Sequence, residues 1–215
     1  MDLDRTAGYI DSLDKGNSKL LNDLEVRAKQ DGVPIIRRPM QSFLRTLLKV
    51  KQPSRILEIG TAVGFSALLM AENTDKTEIV TIEKFEKRYL EAKENIAASP
   101  YKDRIELIFG DALEVLDEMA LRGESFDFIF MDAAKGQYPG FLEPSLKLLC
   151  RDGVLLADNV LKDGDIIESK FALTRRDRTI HKRMRDYLYQ ITHSDILETA
   201  ILPVGDGAAL SVKTV

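Results

Sequence analysis

From Arg55 to Val160 the chain alternates short apolar runs with longer amphipathic segments, and this pattern restricts the fold more than any other feature. The runs are RILEIG (55–60), EIVTIE (78–83), IELIFG (105–110), FDFIFMD (126–132) and GVLLADNV (153–160). Helical periodicity occupies 65–72, 85–98, 112–122 and 138–149 between them. Strands that are apolar on both faces need cover on both faces, and strand–helix alternation provides it as βαβ units around a parallel sheet.

Ahead of this region, a polar helical pattern runs from Asp4 to Gln30, broken near Gly16 and stopped at DGVP by Gly32 and Pro34. A further helix is predicted over Met40 to Val50, with Phe43, Leu44, Leu47 and Leu48 on its inner face. Beyond Val160 come a polar loop, a helical segment at 176–192, and the runs ILETAILPV and GAALSVK joined through Gly-Asp-Gly. That tight link predicts an antiparallel pair at one sheet edge. The expected architecture is one α/β domain over 1–215, with 1–50 as an N-terminal helical extension and 51–215 as a cofactor- and metal-binding core. Its sheet has seven strands, mostly parallel with an antiparallel edge strand, and helices on both faces.

Composition narrows the function classes. With 215 residues, 44% hydrophobic and 31% charged, the chain can bury one good core and lies far from disordered or collagenous compositions. A net charge of -4 argues against a non-specific nucleic-acid coat but permits a local basic patch. The single cysteine, Cys150, excludes an intrachain disulfide and fits a reducing compartment. The opening MDLDRTAGYIDSLDKG has no apolar signal segment, and no window has the length of a membrane helix, so a cytoplasmic, membrane-free protein is expected.

Two constellations carry the chemistry. In LEIGTAVGFS, Gly60 ends the first run and Gly64 opens the next helix, so a ligand can approach the turn closely. The G-x-x-x-G spacing differs from the dinucleotide G-x-G-x-x-G and disfavours a pyrophosphate. Glu83 closes the second run, where an acid commonly accepts ribose hydroxyls, and Asp111 follows the third, either capping a helix or reaching an adenine amino group. Each has an ordinary explanation as turn, solvated acid or cap. Their convergence at the carboxyl ends of three consecutive strands points to an adenosine-containing cofactor.

The fourth strand, expected beside the first across the topological switch point, ends in Asp132, and the fifth ends in Asp158 and Asn159. Adjacent residues of a strand face opposite ways, so Asp158 and Asn159 share a target only if the chain leaves strand geometry there. Two carboxylates and an amide are hard oxygen donors suited to Mg²⁺ or Ca²⁺; the alternative is a helix cap and a turn. Lys135, beside such a dication and a cationic cofactor, is expected to have a lowered pKa useful for proton transfer, unless it is a plain surface lysine. His181 and His193 lie away from any strand end bearing a serine nucleophile, which disfavours a hydrolase triad, and no Walker loop or Cys/His cluster occurs.

Taken in order, LEIGTAVGFSAL, TIEK, GDALE, FMDAAKGQY, ADNVL and PVGDGAALS resemble the class I methyltransferases of the catechol and caffeoyl-CoA O-methyltransferase family, over about residues 33 to 213. Within it the VPI, DAAKGQY and PVGDG segments are most similar to bacterial tRNA 5-hydroxyuridine methyltransferases. The resemblance implies a Rossmann-like fold and S-adenosylmethionine as methyl donor. It implies that Glu58, Gly60, Thr61, Gly64, Ser66, Glu83, Asp111 and Asp132 serve the cofactor, that Asp132, Asp158 and Asn159 hold Mg²⁺, and that Lys135 and Asp132 are catalytic. Relatives of this kind are commonly dimers, so a homodimer is expected.

A tRNA acceptor has local support in the chain. Lys170, Arg175, Arg176, Arg178, Lys182, Arg183 and Arg185 face the single acid Asp177 within 170–185, and Arg37 and Arg38 form a second cluster. Such patches suit phosphate contacts, and they also suit a solvated helix face. The alternatives are an O-methyltransferase acting on a free catechol or a CoA ester, and a cofactor-binding module without catalysis.

Overall fold

The computed structural model describes residues 3–161, 166–167 and 175–215. Two helices, α1 (Leu3–Ser12) and α2 (Lys19–Gln30), precede α3 (Arg38–Lys51). Then come β1 (Arg55–Ile59), α4 (Phe65–Glu72), β2 (Glu78–Glu83), α5 (Glu86–Ala97), β3 (Ile105–Phe109), α6 (Ala112–Leu121) and β4 (Phe126–Met131). The chain continues through α7 (Tyr138–Leu148), β5 (Leu149–Ala157), α8 (Arg175–Thr192), β6 (Leu197–Leu202) and β7 (Ala208–Lys213). Short 3-10 turns occupy Lys102–Arg104 and Lys135–Gln137.

The strand order is β3-β2-β1-β4-β5-β7-β6, so the sheet reverses direction of growth between β1 and β4, as expected. The first five strands are parallel to their neighbours, and β7 is antiparallel to both β5 and β6, which leaves β6 outermost. Successive residues of the central strands enter opposite cores. Ile56, Phe128, Phe130, Val154 and Leu156 pack with residues of α2, α3, α4 and α5. Leu57, Ile59, Ile129, Met131, Leu155 and Ala157 pack with residues of α6, α7 and α8.

Local chemistry accounts for the element ends. Ser18 caps α2 by accepting from the Leu21 N–H, and its hydroxyl donates to Glu72 at the end of α4. Pro39 sits in the first turn of α3, where a missing N–H costs nothing, and left-handed Gln52 ends that helix. The break between α1 and α2 is held against α3 by Arg45, which bonds Asp14 and Asn17. Leu21, Leu24, Met40, Leu44 and Leu48 are buried in the same core as the sheet. Each contributes roughly 1.5–3 kcal/mol, which fastens the N-terminal helices to this face of the sheet.

One strand differs from expectation. The run expected from Gly153 begins instead at Leu149, straight from α7, because Cys150–Gly153 makes an irregularity in which Asp152 is left-handed (φ 58°). The pairing therefore jumps from Phe126 with Leu149 to Phe128 with Val154. Lys213 of β7 closes this corner by donating to the carbonyls of Leu146 and Leu149, both at 2.8 Å. Among the described residues no helix is long and apolar enough to cross a membrane.

Candidate active site

The carboxyl ends of the parallel strands form a staircase, each step hydrogen-bonded to a carbonyl at the end of the neighbouring strand. The N–H of Gly60 and that of Thr61 donate to Ile82 O, Gly110 N–H donates to Glu83 O, Asp132 N–H to Ile59 O, and Asp158 N–H to Met131 O, all at 3.0–3.2 Å. A cavity of about 510 Å³ opens over these steps. Gly60, Thr61, Ser66, Glu83, Asp111, Asp132, Lys135 and Asn159 all line it, so one cavity gathers most of the residues singled out in the sequence.

On the β1–β3 side the polar groups are already organised. Gly60 adopts φ 103°, and a Cβ built there would lie 2.2 Å from the Asp132 carbonyl oxygen, so this glycine is required as much by the approach of β4 as by a ligand. Glu83 accepts from Ala62 N–H and Phe85 N–H, both at 2.8 Å, which bends the strand end around the glycine turn. Asp111 is the N-cap of α6, its Oδ1 accepting from Leu113 N–H at 3.0 Å, while Oδ2 faces Lys84 at 3.9 Å. The capping role foreseen for Asp111 is realised, and the same residue lines the cavity.

Glu58 and Gly64 take places beside the cavity instead of on its wall. Gly64, at φ 84°, begins α4 and faces Ala92 and Ile96 of α5. Glu58 is fully buried beneath the turn, accepting from Thr81, whose hydroxyl also meets Thr61. Burial pushes the Glu58 carboxyl up to about 7 against the lowering effect of its hydrogen bonds with Ser66 and Thr81.

On the β4–β5 side the charges are less comfortable. Asn159 is left-handed (φ 61°), so the chain leaves strand geometry just where two neighbouring side chains had to share a target. Its amide Nδ2 donates to Asp132 Oδ1 at 3.2 Å, while Asp158, also buried, accepts from Asn159 N–H at 2.7 Å. Asp158 lies behind the cavity wall. Burial pushes the carboxyls of Asp132 and Asp158 up; repulsion from Asp132 adds to the effect at Asp158, and Lys135 works against it at both.

Tyr138 belongs to the motif FMDAAKGQY, which by itself gives it no role. It is fully buried, and its hydroxyl lies 3.1 Å from Met131 O and 2.9 Å from Asp158 O, clasping the ends of β4 and β5. Arg183 of α8 donates to Gly136 O at 3.0 Å and so buttresses the turn bearing Lys135. Pro34, Ile35, Ile36 and Phe85 supply apolar wall on the solvent side.

The donor set fits a hard dication. Two carboxylates whose ionisation is opposed by burial, with an amide beside them, are oxygen donors that a dication would relieve. Among the described residues no three carboxylates, imidazoles or thiols cluster closely enough to hold a metal alone, so a metal held here would need the amide of Asn159 as well.

The expected basic surfaces are only partly available. Arg37 pairs with Asp206 at 2.7 Å, and Arg38 approaches Glu25 at 3.7 Å. Arg178, Lys182, Arg183 and Arg185 are exposed on α8. Lys170 and the side chains of Arg175 and Arg176 lie outside the described residues.

A cavity over the switch point of this sheet, with a glycine turn and an acid closing β2, defines a doubly wound enzyme of the nucleotide-cofactor kind. The comparisons narrow that class: the O-methyltransferase family model matches residues 12–214, and the chain belongs to this family and is an O-methyltransferase. A catechol O-methyltransferase of Mycobacterium tuberculosis is 33% identical over 79% of this chain and 76% of its own. A caffeoyl-CoA O-methyltransferase of Eucalyptus globulus is 30% identical over 78% of this chain and 70% of its own. A Bacillus cereus O-methyltransferase solved in complex with SAH superimposes with a TM-score of 0.83 at 27% identity, covering 96% of each chain.

Proposed function

We propose that the enzyme transfers a methyl group from S-adenosylmethionine to one of two adjacent oxygens of its acceptor, with Mg²⁺ at Asp132, Asp158 and Asn159. The observation carrying this reading is Asp132 on the cavity wall shared by the glycine turn and Lys135, with the buried carboxyl of Asp158 behind it, where Asp132 repels its charge. S-adenosylmethionine supplies the electrophilic methyl group. Glu83 would accept from the ribose hydroxyls, Gly60 and Thr61 would pass beneath the amino-acid end, and Asp111 would border the adenine. Mg²⁺ would supply Lewis acidity that favours the ionised acceptor hydroxyl. Lys135 Nζ would take or shield the proton that leaves this hydroxyl, and the turn held by Arg183 keeps the lysine at the cavity wall. Alignment of acceptor oxygen and methyl carbon, with water kept out by Ile35, Ile36 and Phe85, would provide much of the acceleration.

For the acceptor we infer 5-hydroxyuridine in tRNA, giving 5-methoxyuridine, with the 5-hydroxyl and 4-carbonyl as the adjacent oxygens. The exposed arginines and lysine of α8, which reaches the Lys135 turn through Arg183, support this reading as a phosphate-facing surface. The second reading is a small catechol or a CoA ester, favoured by the 33% identity to the Mycobacterium tuberculosis catechol O-methyltransferase.

Methyl transfer from labelled S-adenosylmethionine with Mg²⁺, into tRNA carrying 5-hydroxyuridine and in parallel into a simple catechol and caffeoyl-CoA, separates them. Label in tRNA at rates well above the small acceptors is expected. Label confined to catechol or the CoA ester would replace the acceptor and retain the chemistry, and label in none would remove both.

A further inference from the structure

The loop between β6 and β7 brings a carboxylate to the acceptor end of the cavity that its sequence, Gly205-Asp206-Gly207, presents only as a turn. Its backbone is fixed by the residues that follow Asn159: Leu161 N–H donates to Asp206 O at 3.0 Å, and Val160 N–H donates to Gly207 O at 2.9 Å. Gly207, at φ 86°, has no room for a Cβ, which would lie 2.3 Å from Leu161. The Asp206 side chain, 12% exposed, meets Arg37 at 2.7 Å, and both residues line the cavity together with Asp132 and Asn159. Arg37 comes from the segment that leads into α3, so the ion pair joins the N-terminal helices to the β6–β7 loop across the acceptor end.

Asp206 is not close enough to Asp132 and Asp158 to complete a metal-binding cluster. It faces the same cavity as Asp132 and Asn159, so its charge is felt there through space. We propose that Asp206 and Arg37 form a counterweight to the cation site, Asp206 strengthening the negative field that draws a dication to Asp132, Asp158 and Asn159, and Arg37 attenuating it. The pair thereby sets the affinity of the site without ligating the ion. This inference rests on the reading that the acceptor end holds a dication. Across one cavity, within a Debye length, a unit charge changes dication binding by about three- to tenfold even with strong solvent screening.

The two members of the pair act with opposite sign, and this distinguishes a field effect from a structural one. Mn²⁺ binding to the full-length, cofactor-free enzyme, followed by electron paramagnetic resonance with Mg²⁺ as competitor, reads the effect without turnover. Arg37→Gln is expected to bind Mn²⁺ about three- to tenfold more tightly than wild type, and Asp206→Asn more weakly by a similar factor. Arg37→Lys, which keeps the charge, should stay within about twofold of wild type. A loosened cavity wall would weaken binding in both charge-removing variants, so weaker or unchanged binding in Arg37→Gln overturns the inference. Should Asp206→Asn fail to fold, the half-exposed Arg37 still carries the test. Absence of saturable Mn²⁺ binding in wild type would overturn the metal reading and this inference with it; saturable wild-type binding with unchanged variants would overturn this inference alone.

Discussion

The two halves of the cavity are built from the same kind of strand end yet differ in how complete they are. At the ends of β2 and β3 the acids are served by the backbone itself: Glu83 takes two N–H groups and Asp111 takes one. Along β4 and β5, half-buried Asp132 and buried Asp158 repel, with an amide, one backbone N–H and Lys135 to moderate them. A site whose charges are already satisfied can receive a neutral nucleoside without rearrangement, whereas buried repelling carboxylates favour a cation. On the proposed reading, the donor half is preorganised in the polypeptide and the acceptor half would be completed by what binds there.

The largest effect should come from the residue on which both halves depend. Gly60→Ala drives a Cβ against the Asp132 carbonyl, so it should displace both halves together. We expect stability to fall by about 2–4 kcal/mol in urea titrations and turnover by more than about 100-fold. Near-normal turnover would show that the β1–β4 approach is not needed. Asp158→Asn should separate the halves, lowering turnover by about 100-fold while cofactor affinity, followed by calorimetry, stays within about threefold. Parallel loss of both would contradict the division.

Glu58 lies below the donor half and reports its burial. Its carboxyl is raised to about 7, so the fold retains a proton there that the unfolded chain has already lost. Its stabilising contribution is complete below about pH 4.5 and disappears as the pH rises through about 7. Glu58→Gln should therefore gain on wild type between pH 5 and pH 8 by roughly 1–3 kcal/mol in denaturant titrations. A pH-independent difference would mean that the acid is not held protonated. The smallest effect is expected at Arg38, whose contact with Glu25 is long and exposed: Arg38→Ala should cost no more than about 0.5 kcal/mol, and thermal unfolding checks this.

Much of the geometry at the ends of β1 to β3 could be read in the linear chain because its determinants are local. A glycine with φ 103°, an acid closing a strand and a helix-capping aspartate each lie within a few residues of what they organise. The same locality made β1 to β4 and the turn after Ala157 readable, and the left-handed Asn159 shows the chain leaving strand geometry there. The early start of β5 was hidden because Leu149 and Cys150 continue the helical apolar pattern of α7 until the irregularity at Asp152. Asp206 and Tyr138 were hidden for a different reason. Asp206 owes its role to pairing with Arg37, 169 positions away in sequence, and Tyr138 to two backbone carbonyls on different strands. No periodicity records such meetings. A run of arginines likewise does not reveal that Arg37 and Arg38 have acidic neighbours from elsewhere in the fold.

The central claim is that cofactor binding belongs to one half and methyl transfer requires a cation in the other. Its most direct test is one preparation of enzyme stripped with EDTA, in which S-adenosylmethionine affinity and methyl transfer are measured before and after Mg²⁺ is restored. The account predicts affinity unchanged within about threefold, turnover reduced more than about 100-fold, and full recovery with Mg²⁺. Undiminished turnover in excess EDTA, or loss of cofactor binding in step with turnover, would contradict it.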